Sequence, residues 1–298
     1  MTSGAFGQDT AEAARPTLRN APLRPREWDE LLERDDVTSV RLDAGEMALV
    51  PRDGQLFLHF AFLGEEEGRQ HFAELFSALE DDIAEEGWPY TRVDLVEMMN
   101  RIWIEPLLND ADFRQHGEWM EMERRELRDD MPAPEIPEAY RMRRATEADH
   151  DSIVAIEAAA YGGDTHGEEA TRIRLQQAAW TGLLEKDGVV VGYAINGFAQ
   201  RNVGRIVSLG VDPESWGSGL GRVLLEAAAY QVASQGASRA VIELNPLVGA
   251  SIRAARDAGF RPGRRGIEWR RPTDPDIRAA IRENERRTGV KARFGEWR

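Results

Sequence analysis

The sequence predicts an α+β (mixed α/β) fold of two tandem domains, each with a mixed, mostly antiparallel sheet flanked by helices. Three observations predict it. Short β-rich runs are separated by stretches with helical spacing, a proline-rich segment divides the chain near its middle, and the order of strands and helices is similar on both sides of that segment. The length of 298 residues also favours two domains over one.

The domain boundary is predicted at residues 128–138, where three prolines occur without any apolar period. We therefore place one domain at 23–127 and a second at 139–271. The first 16 residues have neither a basic start nor an apolar run, so residues 1–22 are expected to be a disordered lead and not a signal peptide. Residues 272–298 are expected to form a helical tail with a basic end.

The second domain shows its elements clearly. A strand at 140–146 precedes a helix in which Ile153, Ile156 and Ala160 recur at helical spacing, and a further helix is predicted near 168–178. Two β-rich runs flank the turn Lys186-Asp187-Gly188. The elements predicted after this hairpin are a strand at 205–211, a helix at about 219–235, a strand at 239–245, a helix at about 248–258, and one or two short strands at 261–271.

The first domain repeats this order weakly. Strands around a turn are predicted at 45–62, followed by a helix that ends at Gly87, a strand at 91–99 and a helix at 104–113. Gly87 and Gly236 are 149 positions apart, and the segments 110–114 and 257–261 match at a spacing of 147. We prefer an internal duplication over two unrelated α/β domains for this reason.

Composition and charge limit the classes of function. The apolar fraction of 42% is typical of a soluble protein, no stretch approaches the roughly 20 apolar residues of a membrane span, and we expect a cytoplasmic protein. The chain has no cysteine, and its five histidines lack a paired ligand spacing, so no metal site is expected. The net charge of −15 argues against nucleic-acid binding. It is −18 over residues 1–136 and +3 over the rest, so a polyanionic ligand would favour the second half.

A glycine-rich turn is the most informative motif. Gly217, Gly219 and Gly221 follow one predicted strand directly and begin the long helix. Amides at a helix N-terminus point outward, and absent side chains let an anion approach them, so the turn fits a diphosphate. No Gly-Lys-Ser/Thr follows, and the flanking hairpins disfavour a dinucleotide-binding fold. A tight turn with a plain helix cap is the alternative.

From residue 140 to 271 the chain resembles the GNAT superfamily of acyl-CoA-dependent N-acyltransferases. The resemblance rests on Val211-Asp212-Pro213, which leads into the glycine turn, and on residues 242–260, a strand followed by a helix that ends in Gly-Phe. It implies acetyl-CoA as the cofactor. The residues it implies for the pyrophosphate are Trp216, Gly217, Ser218, Gly219, Leu220, Gly221 and Arg222, and those for the pantetheine arm and acyl carbonyl are Leu209, Gly210 and Val211.

The chain departs from the family pattern at three positions of the second half. Trp216 replaces the usual Gln or Arg, Val248 replaces a common Asn, and Ala255 replaces the tyrosine that protonates the departing thiolate in many members. A thiol with a pKa near 8.5 is a tolerable leaving group, so the loss of that acid is expected to slow transfer without abolishing it.

The first half carries a less favourable version of the turn. At the spacing of 149, Gln70 and Phe72 stand opposite Gly219 and Gly221, and three glutamates at 65–67 replace residues 214–216. Side chains would obstruct a phosphate there and carboxylates would repel it. The first half is therefore predicted to be a degenerate copy that binds no coenzyme and serves as a scaffold or a wall of the acceptor cleft.

Acylation of an amine usually needs a base, and two glutamates are candidates. Glu157 lies in a segment that resembles the acceptor-site helix of ribosomal-protein N-terminal acetyltransferases, with Tyr161 nearby, and Glu243 lies in the strand after the glycine helix. An exposed helix glutamate and a strand residue on the polar face are the plainer alternatives. Ser208 and His166 are weaker candidates.

The sequence thus favours an N-acetyltransferase in which a primary amine attacks acetyl-CoA directly. The acceptor is expected to be a small molecule or a peptide, not a nucleic acid or a membrane, and a homodimer is left open. The main alternative is a non-catalytic acyl-CoA-binding protein, which the alanine at 255 favours. A third is an enzyme similar to mycothiol synthase, which shares the paired-domain arrangement.

Overall fold

The computed structural model describes residues 16–96, 101–161 and 168–289. The strands in these ranges are β1 (Leu18–Arg19), β2 (Thr38–Leu42), β3 (Gly45–Arg52), β4 (Gln55–Phe62), β5 (Tyr90–Val96), β6 (Arg114–Arg124), β7 (Arg141–Arg144), β8 (Trp180–Lys186), β9 (Val189–Asn196), β10 (Val203–Val211), β11 (Arg239–Leu244) and β12 (Arg261–Pro272). The α-helices are α1 (Pro25–Leu32), α2 (Glu65–Ser77), α3 (Glu80–Glu85), α4 (Ile104–Asp110), α5 (His150–Tyr161), α6 (Glu168–Gln176), α7 (Leu220–Ser234), α8 (Gly249–Asp257) and α9 (Pro275–Thr288).

All twelve strands belong to one sheet. Its order is β2-β3-β4-β5-β12-β6-β11-β10-β9-β8-β7, and β1 pairs with β4 beside this path. Within the described ranges, β4–β5 and β10–β11 are parallel and the other neighbours are antiparallel. The prediction of a mixed, mostly antiparallel sheet flanked by helices is therefore confirmed.

The two halves exchange their last strands. β6 belongs to the first half by sequence but pairs with β11 of the second half, and β12 of the second half pairs with β5 of the first. The two exchanged strands also pair with each other at the centre of the sheet. The predicted domains consequently share one sheet, where the sequence suggested one sheet for each. Apart from the short α3 of the first half, β2–β6 and β8–β12 with their helices have the same order β-β-β-α-β-α-β. This order supports the internal duplication, which stays a prediction.

Helices cover both faces of this sheet. On one face, α2 and α4 enclose a core that includes Phe72 and Leu108, and α7 and α8 enclose a second core that includes Leu224 and Ile252. On the other face, α5 packs on β9 through Ile156, and the α1 region packs on β3 and β4. Between α1 and α5, the central strands carry buried charged side chains on this second face.

The predicted disordered lead is wrong for its described part. Residues 1–15 lie outside the described residues, but Thr17 donates its amide to the Phe62 carbonyl at 3.0 Å and β1 pairs with β4. Asn20 fixes this pairing, because its side-chain amide donates to the Leu58 carbonyl at 3.0 Å and its side-chain oxygen accepts from the Phe60 amide at 2.8 Å. The composition of the lead, which has no apolar run, gave no sign of this anchor.

The linker and the tail follow the sequence prediction more closely. Residues 125–140 are all described and contain neither helix nor strand. The tail helix α9 contacts the first half: Arg114 donates to both carboxylate oxygens of Glu285, at 2.6 and 2.8 Å, and Arg278 lies 3.8 Å from Asp112. None of the described helices is both long and apolar enough to cross a membrane.

Replacing Asn20 with alanine is expected to destabilise the protein by about 2 kcal/mol, because one buried acceptor and one buried donor of β4 lose their partner. Urea unfolding followed by tryptophan fluorescence measures the change. Asn284→Ala, which removes only a solvent-exposed hydrogen bond from Arg287, is the matched control and should leave the free energy of unfolding nearly unchanged. Equal stability of the Asn20 variant and the wild type would contradict the anchoring role.

Candidate functional site

The glycine turn connects β10 to α7. A single 3₁₀ turn at Pro213–Ser215 is capped by Asp212, whose side chain accepts from the Glu214 amide at 3.0 Å. Gly217 and Gly219 then take positive φ angles of 80° and 82°, and Gly219 is the N-cap of α7. Only glycine adopts this left-handed conformation without strain, so the alternating glycines are what lets the chain turn directly into the helix.

The turn exposes several backbone donors. In the described chain the amides of Gly217 and Gly219 have no acceptor, and Leu220 and Gly221 are the first helix residues, whose amides lack a partner within the helix. A Cβ atom added at Gly217 or Gly219 would meet nothing within 4 Å, so these donors face open space. The amides lie at the positive end of α7, which favours an anion.

Three residues of the predicted phosphate loop have amides that are already engaged. The Trp216 amide donates to the Pro213 carbonyl at 3.2 Å. The Arg222 amide already donates to the Gly219 carbonyl at 3.1 Å, and its side chain pairs with Glu226 at 3.3 Å. The Ser218 amide makes a long bond of 3.4 Å to the Ser215 carbonyl. The freely available donors are therefore the amides of Gly217, Gly219, Leu220 and Gly221.

A gap opens between β10 and β11 next to this turn. Their parallel pairing ends at Ile206 and Ile242, whereas β10 continues to Val211. The Asp212 amide donates to β9, so by alternation the peptide groups of Leu209 and Val211 point away from β9, into the gap. The Tyr161 hydroxyl donates to the Leu209 carbonyl, and the Trp216 indole N–H donates to the Val211 carbonyl at 2.8 Å.

The first half has the corresponding gap, and it is filled. The pairing of β4 with β5 covers only Leu56–Phe57, and β1 occupies the remaining edge of β4. The carbonyls of Phe60 and Phe62 accept from backbone amides of the lead segment, at 3.3 and 3.0 Å. The protein thus contains the same type of strand edge twice. The backbone of the lead segment closes it in the first half, and the side chains of Tyr161 and Trp216 close it in the second half.

The glycine turn also has no counterpart in the first half. Helix α2 begins at Glu65, so the three glutamates and Gly68 form its first turn, and the Gly68 amide donates to the Gly64 carbonyl at 3.1 Å. A Cβ added at Gly68 would lie 2.4 Å from the ring of Trp103, which is buried. Helix and indole thus occupy the space that the turn leaves open in the second half.

Glu157 is buried and already engaged. Its two carboxylate oxygens accept from the Thr171 hydroxyl at 2.6 Å and from Arg174 at 3.1 Å, and its side chain is almost fully buried. Arg174 also donates to the Asp53 carbonyl at 2.8 Å, which ties α5 and α6 to the first half. This geometry assigns Glu157 a structural ion pair, in place of the general base that the sequence suggested.

Glu243 is held in a similar way. It lies one residue beyond the last residue of β11 that pairs with β10, and it accepts from Arg205 at 3.0 Å and from Arg92 at 3.1 Å. Burial alone would raise the pKa of Glu243, but the guanidinium groups of Arg205, Arg92 and Arg52 outweigh burial and hold the pKa well below its usual value. A carboxylate with a lowered pKa is a weak base, so the prediction of Glu243 as the base is not supported by its surroundings.

Tyr161 is the sequence candidate that reaches the gap. It is the last residue of α5, and its ring is half exposed while its hydroxyl lies against the Leu209 carbonyl. Burial of the hydroxyl, together with the nearby Glu157 charge, raises the pKa of Tyr161 to about 12. The phenol therefore stays protonated at neutral pH and is a proton donor at this edge.

Two residues near Tyr161 were not predicted to form a group with it. The Tyr193 hydroxyl lies 2.9 Å from the Ser208 hydroxyl, and the Tyr193 ring packs against Gly210. The sequence offered Ser208 only as a weak candidate and did not single out Tyr193. The position of Tyr193 in the predicted hairpin, with Gly210 in the next strand, was a usable signal for this group. His166 lies outside the described residues. Among the residues that are described, no group of three His, Asp or Glu is arranged to hold a metal ion.

Comparison with known proteins agrees with the resemblance seen in the sequence. Residues 124–260 match the sequence model of the Acetyltransferase (GNAT) family. A mycothiol acetyltransferase of Thermobispora bispora is 30% identical over 165 residues, which are 50% of this chain and 55% of that protein. The chain thus spans about half the length of the curated relatives it matches.

Two solved structures share the fold over most of the chain. A GCN5-related N-acetyltransferase from Sphaerobacter thermophilus aligns with a TM-score of 0.57 at 19% identity and covers 84% of each chain. A tandem GNAT protein from the clavulanic acid biosynthesis pathway aligns with a TM-score of 0.53 at 13% identity, over 81% of this chain and 85% of that one. At these identities the likeness concerns the fold.

Gly210→Ala is expected to destabilise the protein by about 1–3 kcal/mol, because the added Cβ would lie 2.5 Å from the buried Tyr193 ring. Thermal unfolding followed by circular dichroism measures the effect. Gly117→Ala is the matched control, because Gly117 lies in another strand of the same sheet and a Cβ added there would meet nothing within 4 Å. If the two variants unfold at the same temperature, the packing of Tyr193 on Gly210 is not as described.

Proposed function

We propose, on the premise that residues 124–260 form a domain of the GNAT acetyltransferase family, that this protein transfers an acetyl group from acetyl-CoA to a primary amine. The observation that carries the proposal is the pairing of two features at one end of α7: the free amides of Gly217, Gly219, Leu220 and Gly221, and the open edge of β10. A diphosphate fits the first feature, and an extended chain of amides fits the second.

The residues present suit the cofactor that the family uses. The free amides of the turn would hold the pyrophosphate, and Leu209, Gly210 and Val211 would accompany the pantetheine arm. The two glycines leave room for a close approach, because no Cβ obstructs the amides. When bound, acetyl-CoA supplies a thioester carbon that a neutral amine can attack.

The chain contributes orientation and proton donation to this reaction. The amides of Leu209 and Val211 face the gap and are the donors that can polarise a carbonyl there. Tyr161 presents a protonated hydroxyl at the same edge, and we propose it as the acid that replaces the tyrosine missing at Ala255. Ala255 itself is fully buried in the core around α8 and carries no proton donor.

The acceptor is proposed to bind between the two halves, on the face of the sheet that carries α5 and α6. The curated relatives are named mycothiol acetyltransferases, and their likeness favours a small amine over a macromolecule. The net charge of −15 supports an acceptor other than nucleic acid. We also propose that the reaction takes place in the cytoplasm, in keeping with the absence of cysteine.

A non-catalytic acyl-CoA-binding protein is the second candidate, and Ala255 is the observation that favours it. Incubation with acetyl-CoA and a panel of primary amines, with a thiol reagent to detect released coenzyme A, separates the two. Turnover with any amine supports the transferase. Calorimetric binding of acetyl-CoA without release of thiol favours the second candidate, and absence of binding contradicts both.

Gly219→Glu is expected to weaken acetyl-CoA binding about 100-fold relative to Gly219→Gln, because both side chains strain this positive-φ position but only the carboxylate repels the pyrophosphate. Isothermal titration calorimetry measures the dissociation constant. Gln70→Glu adds the same charge at the corresponding position of the first half, where α2 leaves no open turn, and should leave binding unchanged. A similar effect of both substitutions would mean that overall charge, and not the turn, governs binding.

Tyr161→Phe is expected to lower kcat about 10- to 100-fold while the dissociation constant of acetyl-CoA changes little, because the proton donor is lost and the amides remain. Because the pKa of Tyr161 is raised to about 12, wild-type activity should show no loss from its ionisation up to pH 10. Steady-state kinetics of the wild type and the variant up to pH 10 give kcat and its dependence on pH. Tyr140→Phe is the control, and an unchanged kcat in the Tyr161 variant would remove its role as acid.

A further inference from the structure

A chain of alternating charges crosses from one half of the protein to the other. We call it the charge ladder and define it as Arg52, Asp53, Arg205, Glu243 and Arg92. Asp53 lies 3.6 Å from Arg52 and 3.3 Å from Arg205, and Glu243 lies 3.0 Å from Arg205 and 3.1 Å from Arg92. Each of these two carboxylates therefore serves two guanidinium groups.

The ladder lies beside the candidate active site. Glu243 directly follows Ile242, where the pairing of β11 with β10 ends and the gap begins. Arg205 lies on β10, four residues before Leu209. The far end of the ladder, at Arg92, is satisfied by Asp94 at 2.8 Å and by Glu268 at 3.3 Å. The opposite end of the ladder is Arg52 of the first half.

Arg52 is poorly satisfied by the protein. Its guanidinium stacks on the Phe57 ring at 4.1 Å, and in the described parts of the chain it makes no hydrogen bond; its one ion pair is the 3.6 Å contact with Asp53. The Nε atom, which makes this contact with Asp53, is shielded from solvent and has no hydrogen-bond partner. Burial and the like charge of Arg205 lower the pKa of Arg52 more than the charges of Asp53, Glu243 and Asp94 raise it.

We propose that Arg52 binds a carboxylate carried by the amine acceptor, so that the substrate class is amines with a carboxylate group. The inference rests on the proposed acetyl transfer. Positive and negative side chains alternate along the ladder, and Arg52 is the end at which a guanidinium lacks a hydrogen-bonded carboxylate. A ligand carboxylate bound to Arg52 would continue the alternation.

The geometry of Arg52 suits a carboxylate. Stacking on Phe57 orients the guanidinium, 33% of the Arg52 side chain is exposed, and in the described chain the terminal nitrogens donate no hydrogen bond. A planar guanidinium held in this way can donate two parallel hydrogen bonds to one carboxylate. The stacking also reduces the side-chain entropy that binding would otherwise remove.

Matched pairs of amines test the proposal. Lysine and cadaverine, and phenylalanine and phenethylamine, differ only by the carboxylate. Wild-type protein with coenzyme A is titrated with each amine by calorimetry, and thiol release is followed with acetyl-CoA. We expect a preference of about tenfold for the carboxylate-bearing member of at least one pair, and Arg52→Met should remove that preference. Arg52→Met keeps the stem that packs on Phe57.

Two controls keep the outcome specific. Arg128→Met changes a surface arginine of the linker and should retain the wild-type preference, and Arg52→Lys should retain part of it, because the charge stays while the planar fork is lost. Coenzyme A binding is measured for every variant; its failure in the wild type contradicts the proposed function itself. With that binding intact, absence of any preference in the wild type, or its persistence in Arg52→Met, overturns the assignment of Arg52.

Discussion

The antiparallel pairing of β12 with β6 is the interaction on which the rest of the molecule depends. Each strand follows its own half in sequence and pairs with the other half in space, so the two halves cannot separate without breaking the sheet at its centre. Side-chain contacts reinforce this exchange. Arg174 of α6 reaches the Asp53 carbonyl in the turn between β3 and β4, and Arg201, between β9 and β10, pairs with Glu27 of α1 at 2.8 Å. A site built from both halves is therefore rigidly held.

The parallel pairs β4–β5 and β10–β11 each separate after a few residues, and the exposed edge must then find hydrogen-bond partners. The first half solves this with its own lead segment, whose backbone extends the sheet. The second half uses a phenol and an indole, which rotate about single bonds and can be replaced by ligand groups more readily than a strand. This difference, together with the helix α2 that begins where the second half has its glycine turn, is the physical reason for proposing that the cofactor binds to the second half.

The sequence predicted what depends on local spacing. The hairpin at Lys186–Gly188, the glycine turn and most element boundaries follow from periodicity and from residues that tolerate positive φ. It did not predict the strand exchange, which depends on which edges meet in three dimensions. The same limit applies to Glu157 and Glu243: the sequence shows carboxylates at suggestive positions, whereas their buried arginine partners lie 17 residues or more away, and those partners determine whether a carboxylate acts as a base.

The first half therefore contributes charge and shape where the second contributes backbone donors. Because β5 lies next to β12 at the centre of the sheet, Arg92 reaches Glu243 of the second half, and the turn after β3 brings Asp53 against Arg205. An enzyme that needed only the cofactor could dispense with these contacts, since the turn and the open strand edge belong to the second half alone. In the proposed assignment of Arg52, the first half supplies a side chain that selects the acceptor. The described first half lacks an open turn, which fits this division, because a carboxylate of the acceptor needs a guanidinium and not the free amides of a helix N-terminus.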